Sequence, residues 1–435
     1  MGGSHSHASD VQILADPRRR RRAHLLLAVL LVPAALAAVV GTFLLWPGPS
    51  SDRVSLGDPY GVATGVAMET GTVERTVEET CPSSKGMAEA GGKELSCQVS
   101  YVVPRGGSAA VPVEVPPETV ASRPLQPGDQ IRYLDLHQAS SAIAAPYVFV
   151  DFVRTVPLLL LAVAYALVVC LVARWRGFRA LLGLVGGFAF IGYFMLPALV
   201  DGRPPLLVAL VSATVIMFAA LYFAHGFSAR TSTALLGTLF GLAVTVLLAV
   251  WVSDAAYLTG VGDESSYTLS TTVPELSLSG LLLCGLLIAG LGVLNDVTIT
   301  QSSAVWELAE LAPGSSARAL FTAAMRIGRD HIASTVYTIA FAYAGAALPV
   351  LVLVSLYDRP LLDTFTTGQM AEEVAHILIG SIGLVLAIPV TTAVAVAVVK
   401  AVGSGRPGKS TRDQDAIVDV DDLHPLQDAN DSHLL

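Results

Sequence analysis

Long unbroken apolar runs dominate the chain, separated by short polar segments in which arginine recurs. The first run, 23–46, follows five arginines, Arg18 to Arg22. As a helix it would reach roughly 36 Å, enough for a hydrocarbon core of about 30 Å. A cleaved signal peptide has only about 7–15 apolar residues, so a retained anchor is expected, with cleavage near Ala38 as the alternative. Seven more runs follow, at 156–173, 180–200, 205–224, 231–252, 279–297, 332–356 and 374–399. The pattern predicts an all-α transmembrane bundle of about eight helices, which puts both termini on one side.

Basic residues choose that side, because cytoplasmic loops carry the Lys/Arg excess. With the N-terminus inside, the inner segments hold Arg18–Arg22, Arg174, Arg176, Arg179, Arg230, Arg318, Arg326, Arg329, Lys400, Arg406, Lys409 and Arg412. The short outer loops hold only Arg203 and Arg359. Both termini are therefore expected in the cytosol.

Between the first two spans, 47–155 is long enough for a folded domain outside the membrane. β-prone pieces at 62–67, 96–103, 110–115 and 130–134 alternate with Pro and Gly, which predicts a small extracytoplasmic β-barrel or sandwich. Gln126-Pro-Gly-Asp is turn chemistry feeding a strand. Cys81 and Cys97 both fall here. A disulfide between them, in an oxidising space, would contribute about 3 kcal/mol; two free thiols or a loose metal pair are the alternatives. Cys170 and Cys284 lie inside spans as packing residues. The expected organisation is a basic leader 1–22, a first helix 23–46, the outer domain 47–155, a seven-helix membrane domain 156–400 and a disordered acidic tail 401–435. Within the membrane domain, 301–329 is expected as a cytoplasmic amphipathic hairpin.

Composition sharpens the class. The chain is 53% hydrophobic and 14% charged, against about 25% charged for soluble domains, and its mean hydropathy is +0.63. The net charge of −9 argues against a nucleic-acid partner, which would need a dense basic face. Lysine is rare beside arginine, and Ala and Val are abundant, as in a GC-rich bacterial genome. No phosphate loop, HExxH, CxxC or GxSxG occurs. The expectation is no enzyme, no cofactor and no metal site. His225 is read as an interface histidine.

Ionisable groups inside spans are costly and usually face a cavity or a partner. At about 100° per residue, Gly285, Ala289, Gly292 and Asp296 share one stripe of the sixth span, with Asn295 beside it. The seventh carries Asp330, His331, Ser334, Thr338 and Gly345 on one face. The eighth carries Gly380 and Gly383 near the azimuth of His376. Gly285, Ala289, Gly292, Gly345, Gly380 and Gly383 form a helix-packing seam, because small residues let membrane helices approach closely. Asp296, Asp330, His331, Asn295, Ser334 and Thr338 are candidates for a proton or ion pathway. For Asp330 two other readings stand beside this one: an N-cap of the seventh helix, and loss of the pathway to an Arg329–Asp296 ion pair. In the hairpin, Leu320, Phe321, Ala324, Ile327 and Gly328 make one apolar face, which would lie on lipid or couple to a partner.

Four blocks stand out from this hydrophobic background: Leu291-Gly-Val-Leu-Asn-Asp-Val-Thr-Ile-Thr-Gln-Ser-Ser-Ala-Val-Trp-Glu-Leu; Arg326-Ile-Gly-Arg-Asp-His-Ile-Ala-Ser-Thr-Val-Tyr-Thr; Leu221-Tyr-Phe-Ala-His-Gly-Phe-Ser-Ala-Arg-Thr; and Leu378-Ile-Gly-Ser-Ile-Gly-Leu. On these the chain from Val148 to about 400 resembles the YibE/F family of bacterial multispanning proteins. Asn295 departs from the family pattern, which carries a second aspartate there. The resemblance implies a membrane architecture and no particular chemistry.

Two functions follow as expectations. The first is a secondary permease or channel of the bacterial cell membrane, carrying an unidentified small solute or ion. The second is a membrane-anchored scaffold or sensor without transport, whose outer domain binds a ligand or an envelope protein. The lipid bilayer is a partner in both, and a homo-oligomer is compatible with both.

Overall fold

Between Ala67 and Phe152 five strands close on themselves in the computed structural model: β1 (Ala67–Thr80), β2 (Ser96–Pro104), β3 (Val111–Val115), β4 (Gln130–Asp135) and β5 (Tyr147–Phe152). The structure describes residues 17–48, 66–81, 96–107, 109–137, 146–262, 264–273, 275–356, 360, 363, 365–366 and 368–402. The leader as far as Asp16, the acidic tail from Gly403 and the loop position Arg359 lie outside these residues.

The barrel order is β1-β2-β3-β5-β4, closing back on β1. All pairs are antiparallel except β3 with β5, where Glu114 meets Val148. A short helix α2 (Pro117–Ser122) joins β3 to β4. This is the strand order of the OB fold, a small five-stranded Greek-key barrel. β1 is long enough to pair with both β2 and β4. It bends at a bulge between Val73 and Arg75, as a bulge does by adding one unpaired residue. Two residues before it Gly71 is closely covered: a Cβ there would press on Val102 and the Val103 carbonyl. Val73, Val102, Val113, Val115, Leu125, Ile131, Tyr133 and Phe149 fill the interior. The buried Gln98 amide brackets Leu125, donating to its carbonyl at 3.1 Å and accepting from its N–H at 3.0 Å. The expected turn is present: Asp129 N–H reaches the Gln126 carbonyl at 3.1 Å, and Gly128 takes φ +96, which glycine adopts without strain.

Two sequence expectations change here. β5 was not foreseen, and the first described strand starts at Ala67; positions 62–65 of the expected first piece lie outside the described residues. Cys81 and Cys97 stand beside each other as thiols, without a disulfide. Burial first, then the Cys81 sulfur, then the Glu114 and Glu79 carboxylates push the Cys97 thiol up to about 12.

The helices number six that are long and apolar enough to cross a membrane, or seven with one bent pair counted as a single span, among the described residues. Eight were expected, and the difference has two sources. The two predicted spans 156–173 and 180–200 form one helical stretch of 46 residues, Thr155–Val200. It comprises α3 (Thr155–Phe190), a π turn (Ile191–Met195) and α4 (Leu196–Val200). That stretch is not straight. Arg174 has φ 53 and ψ −135, and a Cβ on Gly177 would run into the carbonyl of Val169. Eight residues of straight helix would hold those positions about 12 Å apart, so the chain turns sharply at Arg174. The other source is the predicted span 332–356, which breaks at Ala347 into α9 (Ala317–Ala346) and α10 (Leu348–Ser355), bent by 67°. Pro349 in the first turn of α10 cannot donate into a continued helix.

The chain divides into two compact units. One, Ala35–Gly226 with Ser253–Ile288, holds the barrel, α3, α4, α5 (Pro205–His225) and the short α7 (Glu264–Thr272). There the end of α1 (Pro17–Leu44) is fastened by the buried Asp201 carboxylate, which accepts from Gly48 N–H at 3.0 Å, while Arg203 donates to the Trp46 carbonyl at 3.2 Å. The other unit, Met1–Ala34 with Phe227–Val252 and Ala289–Leu435, is built from α6 (Ala229–Ala255), the second half of α8 (Leu278–Leu311), α9 and α11 (Gly368–Val402).

The hairpin 301–329 is not a separate pair of short helices. Its arms are the ends of α8 and α9, which run through it unbroken. Ser316 caps α9 by accepting from Ala319 N–H at 3.1 Å. Part of the apolar face packs inside the protein: Leu320 and Ala324 are buried with Val305 and Ala309 of α8 and Ala395, Val396 and Val399 of α11, while Ile327 is exposed. The Lys400 ammonium ties the tip to α11 by donating to the Ser315 carbonyl.

Candidate functional site

In the second unit polar side chains join four helices whose surroundings are otherwise apolar. Gln301, 3% exposed, donates from one amide nitrogen to the Ala324 carbonyl of α9 at 3.0 Å and to Thr392 Oγ1 of α11 at 2.7 Å. Thr238 of α6 and Thr298 of α8 share a hydrogen bond of 2.6 Å. Ser302 donates to the Arg230 carbonyl at 2.9 Å. Interhelical bonds of this kind are worth about 0.6–2 kcal/mol each in membrane proteins. Glycines let the helices come this close. A Cβ at Gly237 would collide with Thr391, and one at Gly383 with Thr245. At Gly241 it would stand 2.6 Å from Leu294.

Beyond this knot lies an apolar plug of Leu294, Val297, Ile339, Leu384, Ala387 and Ile388. The predicted pathway residues lie around it unevenly. Asn295 and His331 are half-buried; Asn295 Oδ1 and His331 Nε2 are enclosed without a hydrogen-bond partner among the described residues. Asp296, Asp330, Ser334 and Thr338 are exposed. The hydroxyls of Ser334 and Thr335 both donate back to the His331 carbonyl, at 3.0 and 2.8 Å, and Thr338 donates to the Ser334 carbonyl at 3.0 Å. Asp330 is no N-cap, because α9 starts thirteen residues earlier at Ala317. No ion pair joins Arg329 to Asp296 among the described residues.

On the far side of the plug sits a cluster that sequence reasoning passed over. The Tyr343 ring of α9 is 5.8 Å from the His376 ring of α11. Glu373, one turn before His376, acts electrostatically on Tyr343, and its Oε2 is enclosed without a hydrogen-bond partner. The signal that could have found it is the sequence Glu372-Glu373-xx-His376 opening an apolar helix, with the acid three residues before the base on one face.

The expected packing seam is only partly a seam. Gly383 lies in a tight helix contact, but Gly285, Gly292, Gly345 and Gly380 have nothing within 4 Å of a Cβ, and Ala289 is exposed. Gly285, Ala289, Gly292 and Asp296 thus form an open stripe on α8. Besides Gly383, close contacts in this unit are made by Gly237, Gly241 and Gly328, which the expected seam did not include.

Residues 161–401, more than half of the chain, match the model of the YibE/F-like protein family. The chain belongs to the YibE/F-like family. No curated protein and no solved structure matches it. The YibE/F-like segment begins after the barrel and contains Gln301, the plug and the Tyr343–Glu373–His376 cluster. With its several apolar helices, family membership makes the chain a multi-pass membrane protein.

Proposed function

We propose that this YibE/F-like protein is a secondary permease or channel for a small solute or ion, here in a closed state. The path runs along α8, α9 and α11 through the apolar plug. Glu373, His376 and Tyr343 serve one side. Asn295 and His331 line the plug, and the exposed Asp296 and Asp330, with Ser334 and Thr338, lead to them.

One observation carries this reading. Asn295 Oδ1, His331 Nε2 and Glu373 Oε2 are enclosed in apolar helices without a hydrogen-bond partner among the described residues. Each such group costs about 1–3 kcal/mol. A passing ion, proton or water would satisfy them, and intramembrane ionisable groups mark such pathways.

The topology proposed with it has eight crossings, with both termini cytoplasmic and the barrel outside in the cell membrane. It is supported by the sharp turn at Arg174 and by the inner bias of basic residues. The test is the purified protein in liposomes carrying an internal pH dye. Solute-dependent proton movement is expected, and Glu373→Gln should reduce it about tenfold or more. A flux unchanged in Glu373→Gln rejects the assignment.

A second reading, a membrane-anchored sensor, is favoured by a pocket of about 200 Å³ at the barrel, lined by residues including Thr70, Gly71, Arg105, Gln130 and Val153. Deleting 47–150 would abolish biological output if this reading is right and spare it if it is wrong.

A further inference from the structure

β1, β2 and β3 present an outer face with its own small core. The register sets Glu79 opposite Cys97 and Val99 opposite Glu114. Along β3, Val113 and Val115 join the barrel interior. Strand alternation therefore turns Glu114 to the other face, where Cys81, Cys97 and Val99 form a separate buried cluster against Tyr101. Cys81 is 3% exposed and Cys97 5%. The two Sγ atoms and a Glu114 carboxylate oxygen all lie within 4.8 Å of one another.

We propose that Cys81, Cys97 and Glu114 bind a thiophilic divalent cation of the zinc type on the outer face of the barrel. Zinc takes thiolates at about 2.3 Å and carboxylates at about 2.0–2.2 Å in a tetrahedron. Donors around one such ion stand roughly 4 Å apart, so small side-chain rotations close the set. Binding releases two thiol protons to solvent. Three protein ligands leave a fourth position for water or an incoming group, the arrangement of open rather than closed zinc sites.

Two blander accounts fit less well. A disulfide joins Cα atoms about 4.4–6.8 Å apart. With Glu79 opposite Cys97, Cys81 is a diagonal neighbour, and diagonal positions stand roughly 7–8 Å apart. A pair of inert buried thiols gives no reason for a carboxylate oxygen to share their space. The charges also favour a cation. Two thiolates and a carboxylate gather negative charge that a divalent ion largely cancels. The position agrees as well: OB barrels take ligands on strands 2 and 3 and the loop between strands 1 and 2, and Cys81 and Cys97 flank that loop. This assignment does not depend on the transport reading.

The test uses the full chain, purified in detergent, reduced and stripped with a chelator, then titrated with Co²⁺ and next with Zn²⁺. One Co²⁺ per chain should bind with a thiolate charge-transfer band, and Zn²⁺ should displace it. Cys81→Ser and Cys97→Ser should lose the band. Glu114→Gln should keep it and bind about tenfold more weakly. Where a cysteine variant fails to fold, the native chain and Glu114→Gln decide. No thiolate band in native chain whose thiols are counted as reduced would overturn the proposal. So would a native Cys81–Cys97 disulfide found by mass in protein purified without reductant. Unchanged affinity in Glu114→Gln would overturn the three-ligand site.

Discussion

Gly328 and Gln301 compete for one volume: a Cβ on Gly328 would stand 3.1 Å from the Gln301 amide oxygen and 2.8 Å from Ile388. The absence of a side chain at Gly328 is what lets the amide reach both Ala324 and Thr392. Gly328→Leu should therefore prevent assembly of α8, α9 and α11. Gln301→Leu should lower stability by about 1–2 kcal/mol. Thermal unfolding in detergent measures both, and a Gln301→Leu/Thr392→Val cycle should show a coupling that single variants do not sum to.

Glycines of the membrane helices should respond differently according to what faces them. Gly237→Leu should abolish folding, since Thr391 already fills the space. Gly292→Leu and Gly345→Leu should fold normally, because a Cβ there meets nothing within 4 Å. Detergent size-exclusion profiles separate the two classes.

The junction between barrel and α3 should be weakly acid-sensitive. Arg154, at 2.6 Å from the Asp151 carboxylate, and the Phe152 N–H hold that carboxyl below its usual value. The stabilisation is present above the unfolded value, near pH 4, and is lost as pH falls through the lowered folded value. Both side chains are about half exposed, 53% and 49%, so solvent screening leaves under about 1 kcal/mol. Asp151→Asn should cost that little at neutral pH and flatten the acid limb. Hydrogen exchange at the Phe152 amide, followed from pH 3 to 7, reads it out.

The ionisable groups should rank by enclosure. Glu373→Gln should reduce liposome flux about tenfold or more, whereas Asp296→Asn and Asp330→Asn, both exposed, should reduce it about twofold. An equal effect of all three would remove the distinction between enclosed and exposed groups.

Much of this architecture was legible because long apolar runs have few other uses. What stayed hidden has physical causes. Gln301–Leu311 and the first turns of α9 looked like a surface hairpin because their apolar face is narrow; it is narrow because Leu320 and Ala324 meet α11 along a single line. β5 was missed because Tyr147–Phe152 flows into the apolar run from Val156 without a turn residue, so its period of two is masked. Glu373 was passed over because the span was started at Val374, one residue too late to include it. Asp330 looked like a cap because the polar stretch before it resembles a helix start, and only the tertiary burial of Gly328 shows the helix running through.

The central claim is that the seam of α8, α9 and α11 opens to water during function. Its most direct measurement is the labelling rate of Ser381→Cys, in a background without the native cysteines, by a membrane-impermeant maleimide. The Ser381 hydroxyl is enclosed without a hydrogen-bond partner among the described residues. Slow but complete labelling, speeded when a pH gradient is imposed, is the result the account predicts. A thiol that stays unreactive from both sides, with and without the gradient, would contradict it.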